Sequence, residues 1–424
     1  MNRRLALRTI VKTVGRTILS VIEKTTDKIV RPTAVVSLPV LTIVCLGLLA
    51  LPLPAAENAN QLTANEVAEG WILLFDGQTL FGWQPTGKAQ WRVEDGALTA
   101  AGEPGLLVTT SRFVDYELSV DFRAEPGTNS GVFLRTIPDP QPADVATRCY
   151  EVNIAGRENA FPTGSLVQRK AAPWPGESDQ WRTLRMTAQG PRIAVALDGK
   201  PLVDYSDPQP LGRGHIGLQW NQGRVAFRNV KLRPLGMKPI STGKDLEGWK
   251  LDPDSKSRAS VTPEGWIRLQ GGKGQLESAA RYTDFVLQLD VLVSTPGLNS
   301  GVFFRSIPGE VQNGYESQIH NGFKNGDRTQ PVDCGTGGIF RRQNARKVVS
   351  DDGQWFTKTI VADGPHFAVW VNGYPVTDWT DARPADANPR KGLRLAAGTI
   401  ILQGHDPTTD LLFRNIRIGE MANR

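Results

Sequence analysis

The sequence predicts an all-β protein made of two tandem β-sandwiches, on three observations. The first is duplication. "YELSVDFRAEPGTNSGVFLRTIP" (116–138) has a counterpart in "FVLQLDVLVSTPGLNSGVFFRSIP" (285–308). "FDGQTLFGWQ" (75–84), "QWRTLRMTAQGPRIAVALDGKPLVDYSD" (180–207) and "FRNVKL" (227–232) return in the same order at 241–250, 354–381 and 413–418. The second is alternation: Phe285, Leu287, Leu289, Val291 and Val293 fall on one face of an extended strand, as do Tyr116, Leu118, Val120 and Phe122 in the other copy. The third is turn chemistry, since 43 glycines and 29 prolines in 424 residues suit many short strands better than a helical bundle.

The elements follow in order. Residues 1–33 hold eight Lys or Arg against two acids and account for the whole formal charge of +6, because the remaining 41 basic and 41 acidic residues cancel. A neutral body gives no electrostatic footprint for nucleic acid, so no nucleic-acid partner is expected. The basic leader runs into the apolar stretch 34–56, which reads as an export signal or a membrane tether and places the protein in the periplasm or cell envelope. Residues 57–71 form a leader to the first sandwich, 72–235, and the second occupies 236–421, joined through "GMKPI" (236–240). Asp198-Gly199 and Asn372-Gly373 supply the positive backbone angles of two-residue hairpin turns. Trp83, Trp181, Trp249 and Trp355, at matched positions, are expected to fill the sandwiches. Cys149 and Cys334, the two cysteines past the apolar stretch, are too few for a disulfide framework or a cysteine metal site.

Candidate chemistry concentrates in "YESQIHN" (315–321), where Glu316, Gln318 and His320 share one face. On the concave side of a curved sheet they would converge with Arg305 of the preceding strand. An ordinary amphipathic strand with its polar face in water gives the same alternation. The first copy keeps Glu151 and Asn153 but has Ala155 opposite His320. It likewise has Gln168 opposite Arg341, and Asn221 and Gln222 opposite His405 and Asp406. The second copy therefore retains titratable groups that the first lacks. His215 and His366 have no such companions and are expected at the surface. "GRGHIG" (212–217) has dinucleotide-loop spacing but leads into a strand, so it reads as a turn. Glu316, His320, His405 and Asp406 form a mixed oxygen and nitrogen set for a divalent metal, without an established spacing.

In this order, "FDGQTLFGW", "NSGVF", "YESQIHNG" with "GTGGIFRRQ", "DGQW", "VWVNG" and "GHDPTTDLLFRNIRI" resemble the 3-keto-disaccharide hydrolase domain family across nearly all of both copies. The resemblance implies a concanavalin-like sandwich of jelly-roll character. It also implies a sugar substrate oxidised to a ketone at its third carbon, cleaved by proton abstraction beside the ketone with no cofactor. On that basis the expected catalytic groups are Glu316 or His320 as base, Arg305 and Arg341 for the enolate oxygen, and His405 with Asp406 for the departing group. Gln318, Gln403, Asn299, Glu151, Arg135 and Gln219 are the expected substrate-binding groups. A non-catalytic, lectin-like envelope protein is the competing expectation.

Overall fold

The computed structural model describes residues 59–421; the stretch 34–56 and its basic leader lie outside the described residues. Among the described residues, every paired strand is antiparallel and no helix is long and apolar enough to cross a membrane. The α-helix Ala64–Glu69 opens the described chain, capped by Thr63, whose hydroxyl accepts from the Glu66 amide while the Glu66 carboxylate accepts from Thr63.

In the first sandwich all strands belong to one continuous, folded-over sheet. The long hairpin Trp83–Glu94 with Ala97–Thr109 bends from one layer to the other and carries the pairing with it. The face that matters for the site is the run Tyr150–Ala155, Asn129–Thr136, His215–Gln222 and Ala97–Thr109. In the second sandwich the equivalent hairpin is cut by Gly271 and Gly272, both at positive φ, so Ile267–Gln270 joins one sheet and Gly274–Ser278 the other. The smaller sheet runs Trp249–Leu251, Gly274–Ser278, Thr399–Gly404, Ser300–Ser306, Tyr315–Ile319.

The period-two reading locates the cores. Phe285, Leu287, Leu289, Val291 and Val293 are buried together with Val302, Phe304 and Ile319, and Tyr116, Leu118, Val120 and Phe122 sit in the matching core of the first copy. Asp198-Gly199 and Asn372-Gly373 make the tight turns at positive φ. Of the four matched tryptophans, only Trp83 and Trp249 are buried. The guanidinium groups of Arg123 and Arg228 lie 5.0 and 4.1 Å from the centre of the Trp181 ring, and that of Arg414 lies 4.0 Å from the centre of the Trp355 ring. Flat rings at the sheet margin pair with cations there instead of filling the core.

The copies pack through a polar seam. Arg112 makes a bidentate pair with Asp363 at 2.6 and 2.7 Å, Arg213 reaches both Asp284 and Asp363, and the Trp370 indole donates to the Leu73 carbonyl at 2.8 Å. His366 is buried in this seam against Ser111, and His215, half-buried, meets the Thr109 carbonyl beside it. Both were expected at the surface. The pairing of the copies, which sequence alternation does not encode, covers them. Cys149 and Cys334 are free thiols, and burial pushes the Cys149 thiol up to about 12.

Candidate active site

Strand register sets the site. In the second sandwich Phe303 faces Glu316 and Gly301 faces Gln318 across Ser300–Ser306 and Tyr315–Ile319, and Phe303 faces Ile401 on the other side. Val302, Phe304, Tyr315 and Ile319 point into the core, so Phe303, Glu316 and Gln318 point out of it. Glu316 folds back over Gly301 so closely that a Cβ there would lie 2.5 Å from its Oε1. In the first copy Glu151 covers Gly131 in the same way, with a Cβ at 3.1 Å. The glycine of "NSGVF" is therefore a flat berth for a neighbouring carboxyl side chain. It lies within the strand in both copies.

Glu316 opens onto a cavity of about 260 Å³ lined also by Phe303, Phe340, Arg341, Arg342 and Arg390. Its carboxyl accepts no hydrogen bond from any described residue. Burial pushes it up to about 7, against the opposing pull of Lys358, Arg390 and Arg341. Lys358 is fully buried, and its ammonium crosses the core to donate to the carbonyls of Ser317 and Gln318, each at 2.7 Å. Burial brings that ammonium down to about 7, with Glu316 opposing. Next along the strand, the Gln318 amide donates to Asp333 at 3.0 Å and to Asn299 at 3.4 Å, and Asn299 also bonds Asp333.

Several expected members stand elsewhere. Arg305 is 0% exposed, with φ +46 at a register shift in its strand. The shift breaks the alternation that would have aimed it at the cleft and turns it inward. There it donates to the carbonyls of Thr283, Gly364 and Arg394 and to Asp284 at 2.7 Å. Arg135 repeats this at φ +50, with the carbonyls of Val114, Gly190 and Leu211 and the Asp115 carboxylate. Both arginines are fasteners of the fold, and neither faces a cleft. His320 lies past the strand end, where its Nδ1 accepts from the Gly322 amide at 3.1 Å, and it does not line the Glu316 cavity. His405 and Asp406 pair at 2.9 Å on an outer loop. Asp406 also accepts from the Thr408 amide and hydroxyl, which hold its carboxyl below the usual range with help from His405. Gln403 lies beneath the loop 307–314, its amide donating to the Gln312 side chain at 3.1 Å, so that end of the sheet face is plugged. Among the described residues no group of three or more His, Cys, Asp or Glu is placed to hold a metal ion, so the set Glu316, His320, His405 and Asp406 does not assemble.

The structure thus brings Glu316 and Arg341 together and adds Arg342, Arg390 and Lys358, which sequence reasoning missed. Arg390 arrives from a distant loop and left no local signal. Lys358 did leave one: it is a lysine at a core-facing position of Trp355–Asp363 where the first copy has buried Leu184.

In the first sandwich the corresponding face is an open cleft of about 550 Å³ lined by Glu151, Asn153, Gln168, Gln219, Trp220 and Asn221 among others. Glu151, like Glu316, is pushed up to about 7 by burial, here with no opposing charge.

Comparison with known proteins agrees with this duplication. The model of the 3-keto-alpha-glucoside-1,2-lyase-like domain matches residues 70–233 and again 236–419. A protein of Bacteroides thetaiotaomicron (strain VPI-5482) named 3-keto-disaccharide hydrolase is 33% identical over 250 residues, 43% of this chain and 84% of that protein. Among solved structures, one from Parabacteroides distasonis ATCC 8503, assigned provisionally to the glycosyl hydrolases, is similar with a TM-score of 0.38 at 22% identity, over 42% of this chain and 100% of that one. The carbohydrate-binding module CBM66 of Bacillus subtilis gives a TM-score of 0.30 at 18% identity, over 35% of this chain and 94% of that one. With both halves matched in turn, the chain belongs to the family of the 3-keto-alpha-glucoside-1,2-lyase-like domain and carries that domain twice.

Proposed function

We propose that the second sandwich cleaves 3-keto-glycosides, with Glu316 as the base. The ketone acidifies the carbon between it and the glycosidic carbon. Glu316 takes that proton, the C–H electron pair forms an enolate, and the enolate expels the aglycone oxygen, which leaves with a proton from water. Addition of water to the resulting enone gives net hydrolysis; release without it gives net elimination. Arg341 and Arg390 supply positive charge where the enolate oxygen develops, in a cavity whose partial burial strengthens the attraction. This route needs neither an oxocarbenium ion nor a second close carboxylate.

The observation that carries the reading is an unpartnered, largely buried carboxyl whose proton affinity sits near neutrality, in one cavity with guanidinium groups. The name of the Bacteroides relative and the family description support the substrate class. Export, read from residues 1–56, would place this chemistry in the periplasm or envelope. Incubation with a 3-keto-disaccharide, followed by NMR, tests it: the wild type releases the free aglycone sugar, and an intact substrate after prolonged incubation rejects the reading.

A further inference from the structure

The first sandwich carries no cation in its cleft: none of the lining residues is Lys, Arg or His. An enolate would find no positive charge there, so the chemistry proposed for Glu316 has no counterpart. The cleft is nevertheless about twice the size of the second, about 550 against about 260 Å³, and lies in the range of sites for small organic ligands. Two of its acceptors are also not satisfied from within the protein. Glu151 is only 8% exposed and accepts no hydrogen bond from any described residue. The side-chain carbonyl of Gln219 is buried with no partner. Buried acceptors left open are costly, and a ligand bringing O–H donors removes that cost.

The rest of the lining fits the same chemistry. Amides of Gln168, Gln219 and Asn221 offer both donors and acceptors, as ring hydroxyls require. Trp220 lines the same cavity, its indole nitrogen donating to the Gly223 carbonyl at 3.2 Å, which fixes the ring against the strand. A large flat aromatic beside amides and the carboxyls of Glu151 and Asp139 suits the apolar face and hydroxyl edge of a pyranose. An anion would meet Glu151 and Asp139 with nothing to offset them.

We propose that the cleft of the first sandwich is a second saccharide site, which holds an intact, unoxidised sugar through its ring hydroxyls and performs no chemistry on it. A ketone replaces an O–H donor by an acceptor, so the open acceptors Glu151 and Gln219 select against the oxidised sugar. The inference does not rest on the role given to Glu316. Holding an intact glycan on one sandwich keeps the chain near polymeric material whose oxidised ends the other can process.

Calorimetric titration of the full chain with cellobiose, maltose and lactose, and with glucosamine as a cationic control, tests it. At least one neutral disaccharide binds. Trp220→Ala and the isosteric Glu151→Gln each weaken that binding at least tenfold, and Glu316→Gln changes it less than twofold. Trp220→Ala leaves turnover of a 3-keto-disaccharide unchanged. Absence of binding by all three neutral sugars, binding of glucosamine alone, or binding lost in Glu316→Gln and kept in Trp220→Ala would each overturn the proposal. Neutral-sugar binding in a chain that leaves the keto-sugar intact would reject the reading of Glu316 and uphold this one.

Discussion

Glu151 and Glu316 hold the same place in two copies of one sandwich. Each lies over a strand glycine, each opens toward a cavity, and burial lifts each carboxyl to about 7. Their neighbours differ. Around Glu316 stand Arg341, Arg342 and Arg390, with the Lys358 ammonium behind the strand. Around Glu151 stand amides and a tryptophan, with Leu184 where Lys358 would be. The fold supplies the carboxyl at its proton affinity in both copies, through a glycine berth and burial against the sheet face. The charges placed around it decide whether an anion forming nearby is stabilised. Duplication has separated those two requirements within one chain, and each can be altered without the other.

The largest effect expected is from Glu316→Gln, which removes the base and lowers kcat for a 3-keto-disaccharide by roughly a hundred- to ten-thousand-fold. Trp220→Ala in the first cleft leaves kcat within a factor of about two by the same steady-state assay. Comparable in free energy but different in kind is Arg305→Met. It leaves three carbonyls without their donor and the Asp284 carboxylate with only Arg213 and the Gly364 amide, and costs on the order of 3 kcal/mol of stability in a denaturant titration. Arg135→Met costs a similar amount, because the same fastener exists in both copies. Were Arg305→Met instead to abolish turnover in a fully folded chain, the division between fastener and site would be wrong.

Next in size is Arg341→Met, expected to lower kcat by about a hundredfold with little change in stability, as for loss of one group that stabilises a developing oxyanion. Lys358→Met is the smallest and most diagnostic change. The ammonium favours ionised Glu316, so its removal raises the pKa of the base, and the rising limb of the pH–rate profile moves to higher pH by roughly half a unit to one unit. Rate is lost at and below the shifted limb and recovered above it, where Glu316 is ionised with or without the ammonium. A profile that keeps its shape while falling in height would assign Lys358 to packing alone.

The fold was legible because it rests on local rules. Alternation at 285–293 and 116–122 marks the inward faces, and Asp198-Gly199 and Asn372-Gly373 mark the hairpins. Glu316 was legible by the same alternation. Arg305 was not, since a single residue at positive φ shifts the register and sends its side chain to the opposite side. Arg390 was hidden by chain distance. The burial of His215 and His366 was hidden by the docking of one sandwich on the other, which no period within a strand records. Gln403 was legible as a residue of the sheet face, but the loop that covers it through Gln312 was not.

The central claim is that one of the two buried carboxyls, Glu316, removes a proton beside the ketone. Incubation of a 3-keto-disaccharide in D₂O, with mass and NMR detection of deuterium at the carbon between the ketone and the glycosidic carbon, tests this most directly. The account predicts deuterium in the sugar recovered from the wild type and from Trp220→Ala, and none above background from Glu316→Gln. Full incorporation by Glu316→Gln would contradict it.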